Sequence, residues 1–247
     1  MCGRYTMSDP ERVLHEFSVL EKNPLGPRYN VAPSQGVWAI CAMPGDPRPT
    51  LHQLRWGLQM SSERPAAPLI MARSETVAKG AIAASFRDWR CLLLADGFFE
   101  WKRSGKTSQP YLFRRNGSAP FAMAGLWRPD PGSPYGGACT VLTRPAIAPI
   151  AAVHHRMPLV LDPAHHAAWL DPQEHELAKL QSILKSAPLA DFESVRVSPY
   201  VGSPANDDPR CIAPISELEQ AGEQTELFAD RQPVAKPRSA ERKRTAR

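Results

Sequence analysis

The chain has 247 residues, 43% of them hydrophobic, and its 30 Lys and Arg against 25 Asp and Glu give a formal net charge of +5. That composition supports a sizeable core, no apolar run reaches the ~18–20 residues that span a bilayer, and the start lacks a secretory signal, so the sequence reads as soluble, globular and cytoplasmic. The charge excludes little, because Lys236, Arg238, Arg242, Lys243, Arg244 and Arg247 against Glu241 carry the whole excess after Ala235, which leaves a formally neutral body and a basic tail that is either solvated or in salt-sensitive contact with phosphates.

The chain opens Met1-Cys2-Gly3-Arg4. The small second residue invites removal of Met1, which leaves Cys2 with a free α-amine beside its thiol. Such groups titrate near ~7.7–8.0 and ~8.5, so both have a nucleophilic fraction at neutral pH. A 1,2-aminothiol condenses with an aldehyde to an imine and then closes to a thiazolidine. The other cysteines, Cys41, Cys91, Cys139 and Cys211, are far apart and form no C-x-x-C. That pattern argues against a zinc ribbon or a disulfide framework and suits one working thiol among inert ones.

After an N-terminal strand, Ser8-x-x-Glu11 with Pro10 predicts a capping box, and Val13, Leu14, Phe17 and Leu20 predict a short amphipathic helix. Apolar or alternating runs at 37–43, 51–56, 91–94, 111–114, 121–127 and 140–143 predict strands, separated by Gly, Pro, Asn or Ser clusters. A strand at 158–161, one or two helices from 163 to about 184 and a last strand at 194–198 follow. Helices do not alternate with strands, so the expected fold is α+β and strand-rich, with a twisted antiparallel sheet or barrel-like core and a few helices. Order is expected to end near Pro214, giving a domain over 2–214 and a disordered basic tail over 215–247.

Three polar islands interrupt what otherwise reads as core. In Met71-Ala72-Arg73-Ser74-Glu75-Thr76, Arg73 and Glu75 share a face of an extended segment, to pair or to offer a fork to phosphate. In Ala95-Asp96-Gly97-Phe98-Phe99-Glu100-Trp101 a carboxyl sits among aromatics, where desolvation raises its pKa toward that of a working general acid. In Val153-His154-His155-Arg156-Met157-Pro158 an imidazole suited to proton transfer and a guanidinium suited to an anion lead into a strand. Plainer readings stand beside these: a frayed terminus for Cys2, an edge-strand Glu100, a surface histidine pair. His165 and His166 lack the spacing of a helical zinc site, and no metal or organic cofactor is expected.

Together MCGRY at the start, PRYNVAPSQ at 27–35, RWGL at 55–58, ARSETV at 72–77, SFRD at 85–88, RCLLLADGFFEW at 90–101 and HHRMPLVL at 154–161 resemble the SOS response-associated peptidase family. The likeness runs in order from about Cys2 to Pro214. It implies a protein of the DNA damage (SOS) response that crosslinks its mature N-terminal cysteine to abasic sites in single-stranded or junction DNA, as a monomer, nucleoid-associated when bound. Cys2 matches the crosslinking nucleophile, and Glu100 and His154 match the groups that move protons. Arg4, Arg73 and Arg156 match phosphate contacts, and Trp56 and Trp101 match aromatic surfaces that meet bases or shape the pocket. The family name also implies self-cleavage before Cys2, where only Met1 stands and an aminopeptidase suffices.

Three positions depart from the family's pattern. Met71 replaces an asparagine that holds the abasic sugar, and a thioether donates nothing. Gln59-Met60-Ser61-Ser62 replaces a Pro and a second Trp, and His155 replaces an acid. The resemblance therefore also admits a DNA-binding relative with impaired crosslinking. Outside it, the Met-Cys-Gly start admits an N-terminal-nucleophile amidohydrolase, and Cys2 with His154 admits a peptidase acting in trans.

Overall fold

The computed structural model describes residues 3–19, 26–43, 46–60, 67–186 and 191–215. Met1–Pro214 forms one compact unit and Ile215–Arg247 another. Cys2, Leu20 of the expected first helix, Ser61, Ser62 and the tail beyond Ile215 lie outside the described residues. Among the described residues, none of the helices is long and apolar enough to cross a membrane.

The first half of the unit runs β1 (Tyr5–Met7), α1 (Pro10–Glu16), β2 (Arg28–Val31), β3 (Gly36–Met43), β4 (Asp46–Trp56), β5 (Met71–Arg73), α2 (Ala83–Asp88) and β6 (Arg90–Ala95). The second half runs β7 (Gly97–Ser104), β8 (Thr107–Arg115), β9 (Phe121–Pro129), β10 (Gly137–Pro145), β11 (Arg156–Pro158), α3 (His166–Leu170), α4 (Leu177–Lys185) and β12 (Phe192–Arg196). One sheet has the order β12-β8-β7-β1-β2 and is antiparallel throughout. The other has the order β11-β10-β4-β3-β6-β9, and β9 pairs back onto β10 from Gly137↔Pro129 to Val141↔Gly125. Five strands thereby close a ring, as the barrel-like expectation requires. The ring is mixed rather than purely antiparallel, because β10 runs parallel to both β4 and β5.

Burial explains the ring. Every residue of β6 is buried, so a continuous apolar run faces the core on both sides. Trp56, Cys91, Leu93, Trp127 and Cys139 fill one side, and Phe86, Trp169, Leu180 and Ile183 from α2, α3 and α4 cover the other. Arg90, at 4% exposure, joins the helices to the ring. Its five N–H groups all donate to carbonyls, among them Trp169 at 2.7 Å, Phe86 at 3.2 Å and Glu174 at 2.9 Å. A guanidinium suits the negative ends of two short helices.

The sequence expectations need four corrections here. Ser8 does not cap α1: Asp9 does, accepting from Arg12 N at 3.1 Å, while Ser8 turns to Asp96. The strand expected at 158–161 lies at Arg156–Pro158, and the last strand begins at Phe192. The island around Glu100 is itself a strand, β7.

Candidate functional site

The site forms where β7 leaves the core. Phe98, Phe99 and Glu100 are buried on β7, and beyond them Trp101 is half-buried and the rest of the strand exposed. Oε1 of Glu100 lies 3.4 Å from Nδ1 of His154, which stands on the turn before β11. Backbone N–H of Arg156 donates to the same Nδ1 at 3.1 Å. His155 tilts against His154 with ring centroids 4.4 Å apart. Glu100, Trp101, Arg103, Ser108, Val153, His154 and His155 line an open cleft of about 790 Å³.

The N-terminal strand approaches this cleft by register. Tyr5 pairs with Phe98 and Thr6 with Gly97, and Phe99 N donates to Arg4 O at 3.0 Å. That last bond sets Arg4 beside Phe99, the residue before Glu100. Asp96 fixes that register, because its carboxylate accepts from Thr6 Oγ1 at 2.5 Å, Ser8 N at 2.6 Å, Ser8 Oγ at 2.8 Å and Asp9 N at 2.9 Å. Glycine is required at position 97, where a Cβ would lie 2.7 Å from Thr6 Oγ1.

Two of the expected phosphate contacts are engaged internally. Arg4 donates to Asn30 Oδ1 and Val201 O, each at 2.9 Å, and to Gly202 O at 3.1 Å. Asn30, fully buried, donates onward to Val201, Ser203 and Asn206 carbonyls, so the loop after β12 clasps the N-terminal strand. Arg156 grips Glu75 with both terminal nitrogens and Thr143 O at 2.6 Å. That guanidinium holds the Glu75 carboxyl down at about 2. Of the two alternatives for Arg73 and Glu75, a mutual pair or a fork for phosphate, the pair is not made, because the chain turns after Arg73, with Thr76 N donating back to Arg73 O. Arg73 remains exposed at the end of β5.

Trp56 was expected to meet bases or shape the pocket. It is 1% exposed; its Nε1 donates to Ile70 O at 2.8 Å and its ring lies 5.5 Å from that of Tyr5. It supports the N-terminal strand from below. Met71, opposite Val141 of β10, packs half-buried against the same core. Cys41, Cys91, Cys139 and Cys211 are buried free thiols. Burial pushes Cys41 up to about 12 and raises the other three as well, so none is a ready nucleophile at neutral pH. Arg103, like Ser108, is a cleft residue that the sequence reading missed. Its available signal was its place two residues after Trp101, on one face of a strand.

The SOS response associated peptidase (SRAP) family model matches residues 1–204. The chain is 35% identical over 224 residues to the abasic site processing protein YoqW of Bacillus subtilis, spanning 86% of this chain and 99% of that protein. It is 30% identical over 228 residues to the abasic site processing protein YedK of Escherichia coli, spanning 87% and 100%. A crystal structure of a protein from Bacteroides thetaiotaomicron matches with a TM-score of 0.71 at 20% identity, covering 87% of this chain and 100% of that one, and shares the fold. A phage-related protein from Bordetella bronchiseptica matches at 0.67 with 27% identity, covering 79% and 94%. A family model matched over four-fifths of the sequence and relatives aligned over nearly their full length identify the chain: it belongs to the SOS response associated peptidase family.

Proposed function

We propose that this protein binds single-stranded or junction DNA and traps abasic sites covalently through Cys2 once Met1 is removed, as part of a DNA damage response. Its relatives named as abasic site processing proteins support the substrate. The observation that carries the chemistry is the pairing of the N-terminal strand with β7, which sets Arg4 beside Phe99, the residue before Glu100, with His154 3.4 Å from that carboxylate. Cys2 precedes this segment in the sequence, and the four described cysteines are too deeply buried to compete.

The ring-opened abasic sugar presents an aldehyde. The Cys2 amine adds to its carbon, and the carbinolamine loses one water to give an imine. The thiolate then adds to the same carbon, the nitrogen takes a proton, and a thiazolidine closes; aldehyde and aminothiol yield ring and water. Glu100 and His154, in mutual contact, relay the protons that sugar opening, water loss and thiol deprotonation require. Arg73 takes a flanking phosphate and Trp101 a base face. The same freed terminus would serve the peptidase chemistry in the family's name.

A second reading, a DNA-binding relative whose crosslinking has slowed, is favoured by Met71, whose thioether offers the sugar no donor. One lost positioned hydrogen bond costs ~1–3 kcal/mol, or about one to two powers of ten in rate. The test is denaturing electrophoresis of Met1-processed protein with single-stranded DNA bearing one abasic site. A shifted band that Cys2→Ala abolishes and Met71→Asn forms about 10–100-fold faster supports trapping by a slowed site. A band only in Met71→Asn supports lapsed crosslinking, and no band in either rejects the aminothiol mechanism.

A further inference from the structure

We propose that the β7–β8 hairpin is a second phosphate-contacting surface, in which Arg103, Lys102 and Lys106 hold the nucleotides next to the one in the cleft. The proposal rests on the DNA reading above. Most described arginines are committed internally: Arg28 to Asp207, Arg55 to Asp130, Arg115 to Asp191 and Arg156 to Glu75, with Arg90 committed to carbonyls. Arg103 makes no hydrogen bond or ion pair with any described residue, although it lines the cleft beside Glu100 and His154. Lys102 and Lys106 are likewise exposed and unmatched by a described carboxylate.

The hairpin that carries them is paired to its tip. Lys102 pairs with Gln109, Arg103 with Ser108 and Ser104 with Thr107, and a two-residue turn closes on Gly105 at φ +57°. No acid occurs from Trp101 to Gln109, so the prong presents three cations of one sign to solvent. Trp101 and Arg103, two residues apart, share a face and stand ~6.7 Å apart along the strand, a spacing of the same order as the step between successive phosphates. A strand leaving the cleft meets a ring on which a base stacks, then a guanidinium fork, then the cations of the tip. A hairpin serving only to close the sheet has no need of unmatched cations at the mouth of the cleft.

The test is equilibrium binding of an intact single-stranded oligonucleotide, which has no aldehyde, by fluorescence anisotropy across a salt series. Arg103→Ala and Lys106→Ala are each expected to make the slope of log affinity against log salt shallower by about 0.7, and the double variant by about 1.4, with unchanged thermal midpoints. Arg12→Ala, an exposed arginine on α1, is the control and is expected to leave the slope as in the wild type. Wild-type binding with an unchanged slope in the double variant overturns the hairpin surface alone. An equal change in Arg12→Ala overturns it too, by showing a general charge effect. A wild type that does not bind DNA at all overturns both this surface and the DNA reading beneath it.

Discussion

Glu75 and Arg156 are far apart in sequence, yet the carboxylate chooses Arg156 over Arg73, two residues away, because the turn after β5 points the near neighbours apart. The Glu75 carboxyl is depressed to about 2, so its contribution is present above its unfolded value near ~4.3 and is lost as pH falls toward the folded one. The gap in thermal midpoint between wild type and Glu75→Gln is therefore expected to be constant above about pH 5 and to close between about pH 4.5 and pH 2. Brief alkylation of the native, Met1-processed protein at neutral pH is expected to add one equivalent by intact mass, because the four described cysteines are buried with raised thiols. A second equivalent would place one of them at the surface. Glu100 and His154 were legible in the sequence because each interrupts an apolar run. The roles of Arg4, Trp56 and Arg156 were not, since no local pattern tells which distant carbonyl or carboxylate takes a guanidinium, or whether an indole lies above or below a strand.

Among the elements, β1 is the one on which the site depends. It is three residues long and lies between β7 and the edge strand β2, and Asp96 holds its end through four hydrogen bonds. Asp96→Asn turns an amide toward backbone N–H groups that need an acceptor. It is expected to cost about 2–3 kcal/mol by urea denaturation with m unchanged, and to slow adduct formation more than it weakens DNA binding. Capping geometry misled the sequence reading here, because Ser8 and Asp9 are both good caps and only the distant Asp96 decides between them. The missed β7 has a related cause: Phe98, Glu100 and Lys102 alternate with Phe99, Trp101 and Arg103, so neither face reads as uniformly apolar, and a carboxylate held in place by His154 looks like an interruption.

At the scale of the whole molecule, the strand-rich α+β class and its barrel-like core followed from short apolar runs and turn clusters, whereas the parallel pairing that closes the ring did not. β10 pairs with β4, β5, β9 and β11, and nothing local in its nine residues announces four partners. Because the compact unit runs to Pro214, a chain ending at Ala235 is expected to keep its thermal midpoint. It would lose six cations and one carboxylate, and with them part of the salt-dependent DNA affinity. The clasp on Arg4 also imposes an order in time. Its acceptor Val201 is made 197 positions later, which at ~5–20 residues per second is roughly 10–40 s of translation. During that interval the nascent terminus is open to the enzyme that removes methionine, while the loop that will anchor it has not yet been synthesised. On the proposed aminothiol chemistry, the nucleophile is thus prepared before the clasp exists, and a chain abandoned on the ribosome would carry a bare aminothiol with no site around it.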